Sequence, residues 1–195
     1  KSSAGMMDCK KALTEMNGDM DAAVDWLRKK GLATASKKSG RIASEGLIGI
    51  SLDDNMGAIV EVNSETDFVA RNKEFQEFVT SISDVAIKNN GNLDEILKSN
   101  FPNSEKNVKD TLTDKIAKIG ENMSIRRSEI ISVTNGTIIG YIHNAVHDSL
   151  GKIGVLVALE SKADKTSLQK LGKELAMHIA ATSPSSISIE DLSSE

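Results

Sequence analysis

Ten residues combine an acidic and an aromatic side chain in a way that suits contact with another molecule. The segment 63–72 reads NSETDFVARN, follows an apolar strand-like run and places Phe68 just before a helix. In one interpretation, Phe68 folds back as a hydrophobic staple ahead of a helix cap at Asn72, and Asp67 merely stabilises a turn. In the other, Asp67 and Phe68 project together and wedge into a partner protein. The residues alone leave both interpretations open.

Other side chains give weaker indications of chemistry. The sequence contains no phosphate-binding G-x-x-x-x-G-K-[ST], no H-E-x-x-H, no C-x-x-C and no G-x-S-x-G. His143 and His147 lie near Asp148 and could suggest a metal-dependent enzyme, although this spacing is weak evidence. His178 is expected to be a packed histidine, and Cys9 lies on an apolar stripe as a small core residue. We therefore predict no catalytic residues, no metal and no cofactor.

The composition restricts the partner and the compartment. With 24 Lys and Arg against 28 Asp and Glu, the formal charge is −4, whereas nucleic-acid-binding domains tend to be strongly basic. A protein or a small molecule is the better expectation, and no nucleic acid is predicted. A single cysteine excludes an intramolecular disulfide and suits a reducing compartment. No apolar run approaches the roughly 18 residues of a membrane span, so a cytoplasmic protein with no membrane contact is expected.

The first 45 residues indicate two short helices and a connection. Apolar residues at spacings of three and four, with a break at residues 17–19, predict helices that together cover 6–31. Asp19 is placed to cap the second helix, and Gly31 to end it. Two such helices need a third to bury their faces, so we expect the first helix of the module to precede residue 1. Residues 34–45 are predicted to form a linker.

The remainder reads as a repeated hairpin and helix. Strands at 47–52 and 58–62 are predicted to flank a five-residue loop, and a helix capped by Asn72 follows. Helices near 93–98 and 108–119 and a strand at 123–133 come next. Residues 136–142 and 153–160 then match 46–52 and 56–63, and another helix is predicted over 167–181. The predicted inward-facing residues are Phe75, Phe78, Val79, Ile82, Val85 and Ala86 in the first helix, and Leu168, Leu171, Leu175, Met177 and Ile179 in the second.

Four motifs resemble the elongation factor Ts family. They are SAGMMDCKKAL at 3–13 followed by NGD at 17–19, ETDFVARN at 65–72, KIGEN at 118–122 with IRR at 125–127, and GKIGVLV at 151–157. Four motifs in the family's order, spread across most of the chain, make the resemblance specific.

The resemblance implies an α+β fold with a ubiquitin-associated-like three-helix module followed by a core of two related hairpin-plus-helix subdomains. The expected divisions are residues 1–33 for the module, 34–45 for the linker, 46–135 for core subdomain N and 136–195 for core subdomain C. Core subdomain C is expected to be incomplete, because the family's dimerisation insert and C-terminal module would follow residue 195. A homodimer is therefore expected only for a full-length protein.

The resemblance also implies guanine nucleotide exchange on the GTPase elongation factor Tu, with no covalent chemistry. Asp67 and Phe68, flanked by Thr66 and Val69, would enter beside the magnesium site of the GTPase, and Phe68 would part packed side chains. Met6, Met7 and Lys10 would bind the nucleotide-binding domain of the GTPase. Ile119 would pack nearby, and His143 would support docking, although the loop 144–150 looks longer than usual. The alternative is a protein-binding scaffold module without exchange activity.

Overall fold

The computed structural model describes residues 4–192 of the chain, which fold as a mixture of helices with one antiparallel sheet. The α+β class is therefore confirmed. The helices are α1 (Met6–Glu15), α2 (Met20–Lys38), α3 (Asp67–Ala70), α4 (Lys73–Lys88), α5 (Leu93–Lys98), α6 (Val108–Ile119) and α7 (Lys165–Thr182). The strands are β1 (Glu45–Asp53), β2 (Met56–Ser64), β3 (Met123–Ser132), β4 (Gly136–His147) and β5 (Leu150–Glu160). A 3-10 turn, Ile189–Asp191, follows α7.

The second N-terminal helix ends later than predicted. Asp19 caps α2 as predicted, accepting hydrogen bonds from the backbone N–H groups of Asp21 and Ala22 at 3.0 Å. Gly31 does not end α2, which continues to Lys38. A Cβ at position 31 would lie 3.9 Å from the Ala117 Cβ of α6, so Gly31 lies at the helix–helix contact. The first part of the predicted linker is therefore helical. Within it, Ala35 packs on the core.

Both hairpins close more tightly than the sequence suggested. The β1–β2 ladder extends to the pair Asp53 and Met56, which leaves a two-residue turn in place of the predicted five-residue loop. The predicted loop 144–150 is also wrong, because β4 continues to His147 and pairs with Leu150. A register shift between Ala145 and His147 absorbs the extra residue there. The apparent extra length is therefore strand and bulge rather than loop.

The five strands run in the order β3-β2-β1-β5-β4. β1 pairs with β5 only at Ile48 with Gly151 and Gly49 with Leu150, and the second hairpin folds over the first. A Cβ on Gly140 would lie 3.1 Å from Ile50 Cγ2, and a Cβ on Gly154 would lie 2.4 Å from Ile48 Cγ2. The absence of side chains at these two glycines lets the hairpins approach closely.

One helix covers the outer side of each hairpin. Asn72 caps α4 by accepting from the Glu74 N–H at 2.8 Å, and all six predicted inward-facing residues of α4 are buried. In α7 the prediction holds for Leu168 but is wrong for Leu171, Leu175 and Met177, which are exposed. The buried residues of α7 are Leu168, Gly172 and Ala176. None of the helices in residues 4–192 has the length together with the hydropathy that a membrane crossing requires.

Candidate functional site

The residues singled out by the sequence form a corner between β2 and α4. β2 ends at Ser64, and the single-turn helix α3 (Asp67–Ala70) precedes the Asn72 cap of α4. We call residues 64–72 the corner segment. α3 is only four residues long, and its two sides face very different surroundings.

Phe68 projects into solvent, with 76% of its surface exposed, while the neighbouring Val69 is 6% exposed. Val69 and Ala70 belong to the main hydrophobic core and anchor the other side of α3. The staple interpretation of Phe68 is therefore not what the structure shows. The prediction that Val69 offers a partner contact does not fit its burial, because its side chain is packed inward between the hairpin and α4.

Asp67 lies next to Phe68 and is held by a local ion pair. Its Oδ2 is 2.9 Å from the Arg71 guanidinium, one turn later, and the Arg71 side chain is largely exposed while that of Asp67 is about half exposed. Exposed pairs of this kind contribute little to stability. Asp67 can therefore exchange Arg71 for a group on a partner at small cost.

A frame of hydrogen bonds joins the corner segment to the turn after α6. The Glu121 carboxylate accepts from the Thr66 N–H at 2.9 Å and from the Thr66 hydroxyl at 2.7 Å. In return, the Glu65 carboxylate accepts from the Asn122 N–H at 2.5 Å. Gly120 makes the turn possible, since it ends α6 in the left-handed region at φ 87°. Two carboxylates thus cross between the two segments in opposite directions.

The ionised form of Glu65 is favoured in this frame. The hydrogen bond from the Asn122 N–H lowers the pKa of Glu65, partial desolvation opposes it, and the Arg41 guanidinium adds to the lowering. The net result is a pKa below the ordinary glutamate value. Glu65 therefore stays charged and keeps its bond to Asn122 throughout the neutral range.

The end of α2 is attached to the same frame. The Lys38 ammonium donates to the Gly120 carbonyl, and the Asn122 side-chain amide donates to the Arg41 carbonyl at 2.7 Å. The end of α2, the corner segment and the turn after α6 therefore meet at one junction.

The other predicted contact residues lie on three further elements. Met6 and Met7 are 85% and 75% exposed at the start of α1, and Lys10 is exposed one turn later. Ile119 is half-buried at the end of α6, next to the turn that holds Thr66. His143 is exposed on β4, with its Nδ1 3.1 Å from the Tyr141 hydroxyl oxygen.

The alternative metal site gains no support from the geometry. Among residues 4–192, no group of three or more His, Cys, Asp or Glu side chains converges in a way that could hold a metal ion. His143 and His147 both lie on β4, and each is exposed.

Comparison with known proteins identifies the family. The family model described as Elongation factor TS matches residues 65–195, two thirds of the chain, beginning within the corner segment. The chain belongs to the elongation factor Ts family. It is 57% identical over 192 residues to Elongation factor Ts of Rhizobium etli (strain CIAT 652), with 98% of this chain and 62% of that protein covered. It is 59% identical over 181 residues to Elongation factor Ts of Parvibaculum lavamentivorans, covering 93% and 59%.

The chain thus spans about six tenths of the length of these elongation factor Ts relatives. The family match includes residues 65–72 of the corner segment, Glu121 and His143, whereas the N-terminal helices are covered by the match to the Rhizobium etli relative. The sequence motifs had already contained Glu65, Glu121 and Asn122. The sequence did not predict that Glu121 binds Thr66 or that Glu65 binds Asn122. The one indication was that two of the family motifs each contain a glutamate next to a possible turn.

Proposed function

We propose that this protein is a guanine nucleotide exchange factor of translation elongation that acts on elongation factor Tu in the cytoplasm. The observation that carries the proposal is the corner segment, where Phe68 is exposed on a helix turn whose opposite side is buried. Large apolar side chains are costly to leave in water. An aromatic residue held outward on a braced turn is suited to insertion into a partner. Membership of the elongation factor Ts family supports the same function.

In the proposed mechanism, the protein acts only by binding. A GTPase holds its nucleotide through magnesium and a phosphate-binding loop. Phe68 inserts between packed side chains beside that site, and the Asp67 carboxylate disturbs its charge balance. Ile119 packs alongside, and the remaining proposed contacts are Met6, Met7, Lys10 and His143. No covalent bond is made or broken.

The energy for GDP release comes from differential binding. An exchange factor that binds the nucleotide-free GTPase more tightly must weaken nucleotide affinity by the same factor. A ten-thousand-fold effect requires about 5.5 kcal/mol. Burial of one phenylalanine side chain supplies roughly 1.5–3 kcal/mol. Phe68 is therefore a large contributor, and the other contacts must supply the remainder.

The test is release of fluorescent GDP from elongation factor Tu, followed by stopped-flow with and without this protein. We expect catalytic amounts to accelerate release and Phe68→Ala to reduce the acceleration by about tenfold or more, equivalent to 1.4 kcal/mol or more. Leu171→Ala is the matched control, because Leu171 is also an exposed apolar residue, 48% exposed on α7. Equal rates for Phe68→Ala and the unsubstituted protein would contradict the wedge role. Binding with no acceleration would instead indicate a scaffold module.

A further inference from the structure

We infer that Glu121 is a positioning residue for Phe68, which it holds in place through Thr66. The inference rests on the proposed exchange function and assigns a role to a residue that does not itself project toward the partner. It follows from the bonds that Glu121 makes at the entry of α3, because the buried residues Val69 and Ala70 anchor only the side of α3 opposite Phe68.

Both oxygens of the Glu121 carboxylate are used by one residue. Oε2 accepts from the Thr66 N–H at 2.9 Å and Oε1 from the Thr66 hydroxyl at 2.7 Å. Thr66 occupies the N-cap position of α3, yet its side chain makes no capping bond to that helix. The usual task of a threonine at this position is to accept a bond from the helix N-terminus. Here the hydroxyl serves as a donor to Glu121 instead.

This two-point attachment matters because α3 is too short to hold itself. A single isolated helical turn is unstable in water, since its hydrogen bonds do not offset the entropy of ordering it. Its exit is fixed by the Arg71 N–H bond to the Phe68 carbonyl and the Asn72 N–H bond to the Val69 carbonyl. Its entry is fixed at Thr66, two residues before Phe68, where the Glu121 carboxylate accepts two bonds and the Ser64 hydroxyl donates to the Thr66 carbonyl at 3.0 Å. Glu121 therefore sets the direction in which the exposed ring leaves the surface.

The same hydrogen bonds fix the relative position of two proposed partner contacts, Phe68 and Ile119. Glu121 lies two residues after Ile119, across the left-handed Gly120. The reciprocal bond from the Asn122 N–H to Glu65 prevents the two segments from pivoting about Thr66 alone. Phe68 and Ile119 are thus parts of one rigid surface rather than of two independently moving loops.

A matched control separates positioning from general stability. Glu74 is also a partly exposed carboxylate held by two bonds, from the Lys115 ammonium at 2.7 Å and the Lys118 ammonium at 2.8 Å. It ties α4 to α6 without touching Thr66. Loss of Glu74 should therefore weaken the fold near α6 and leave the direction of Phe68 intact.

The experiment combines exchange kinetics with amide hydrogen exchange on the full chain. Glu121→Ala is expected to lower the maximal acceleration of GDP release by about tenfold, and Glu121→Gln to retain part of it, because its amide oxygen still accepts one bond. In a Phe68→Ala background, Glu121→Ala should cause no further loss, since residues acting as a unit are not additive. Protection of residues 64–70 should fall in Glu121→Ala and persist in Glu74→Ala.

The outcomes distinguish the two proposals. If the unsubstituted chain accelerates GDP release and Glu121→Ala does so equally, the positioning role is overturned while the exchange function stands. Additive losses from Glu121→Ala and Phe68→Ala, or unchanged protection of residues 64–70, would overturn it as well. If the unsubstituted chain does not accelerate release at all, the exchange function fails, and the positioning role in it fails too.

Discussion

The two hairpin-plus-helix units of the core repeat one topology but differ at the passage from strand to helix. In the first unit, β2 is followed by the corner segment with its extra turn α3 before α4 begins. In the second, β5 ends at Glu160 and Asp164 already caps α7. The second connection is therefore short and contains little besides the capping residue. The repeat thus provides a scaffold, and the added turn of the first unit provides the projecting Phe68.

The two helices also pack differently on their hairpins. α4 buries two phenylalanines and several branched side chains, whereas α7 buries only Leu168, Gly172 and Ala176. A Cβ on Gly172 would lie 2.2 Å from Ile139 Cδ1. At this position the close approach of α7 to β4 leaves no space for a side chain. The larger buried face therefore belongs to α4, the helix that directly follows the corner segment.

The largest predicted effect tests this difference in packing. Phe78 is fully buried in α4, so we expect Phe78→Ala to lower the free energy of unfolding by about 3–5 kcal/mol. Leu171→Ala in α7 should cost less than about 1 kcal/mol, since the side chain is half exposed. Urea unfolding followed by circular dichroism measures both. Similar costs at the two positions would remove the proposed contrast between the units.

Whether a feature of these units could be predicted from the sequence depends on how far apart in the chain the interacting residues lie. The Asn72 and Asp19 caps and the inward residues of α4 follow local rules of capping and periodicity, and all were confirmed. Leu171, Leu175 and Met177 of α7 were misassigned because periodicity does not reveal how closely a helix approaches its sheet. The bond between Glu121 and Thr66 spans 55 residues, so no local pattern could pair them.

A second prediction concerns the two sides of α3. Val69→Ala should lower the free energy of unfolding by about 2 kcal/mol, because it leaves a cavity in the core. Phe68→Ala should change it by less than about 0.5 kcal/mol, because the ring is already in water. Exchange activity should show the opposite order, with the larger loss for Phe68→Ala. A large stability cost for Phe68→Ala would mean that its ring packs on the protein in solution.

A third prediction uses glycines in two helices. Gly172→Ala should destabilise by about 1–3 kcal/mol, since the new methyl group meets Ile139. Gly31→Ala in α2 is the control, because its Cβ would make only an ordinary contact at 3.9 Å. It should stabilise by about 0.5–1 kcal/mol through the better helix propensity of alanine. Thermal unfolding of the two variants measures the difference, and equal shifts would show that α7 moves away from β4 without penalty.

The smallest predicted effect is a difference between the N-caps of α4 and α7 in their response to pH. Hydrogen bonds from Ser167 and from the Thr166 N–H hold the pKa of Asp164 below its ordinary value. Because the folded pKa is lowered, the stabilisation is present above the ordinary aspartate pKa of about 3.9 and is lost as the pH falls through the lower folded value. Asn72, the cap of α4, does not titrate. Acidification should therefore reduce amide protection at the start of α7 before it does so in α4.

Asp164→Asn is the control for this pH effect, because it keeps an acceptor oxygen for the backbone N–H groups and removes the titration. In that variant, protection at the start of α7 should no longer fall ahead of α4 as the pH is lowered from 5 to about 3. Hydrogen exchange measured by NMR across this range resolves the two helices separately. A persistent early loss in α7 would place its cause in the smaller buried face of that helix rather than in its cap, and would make burial alone responsible for the difference between the units.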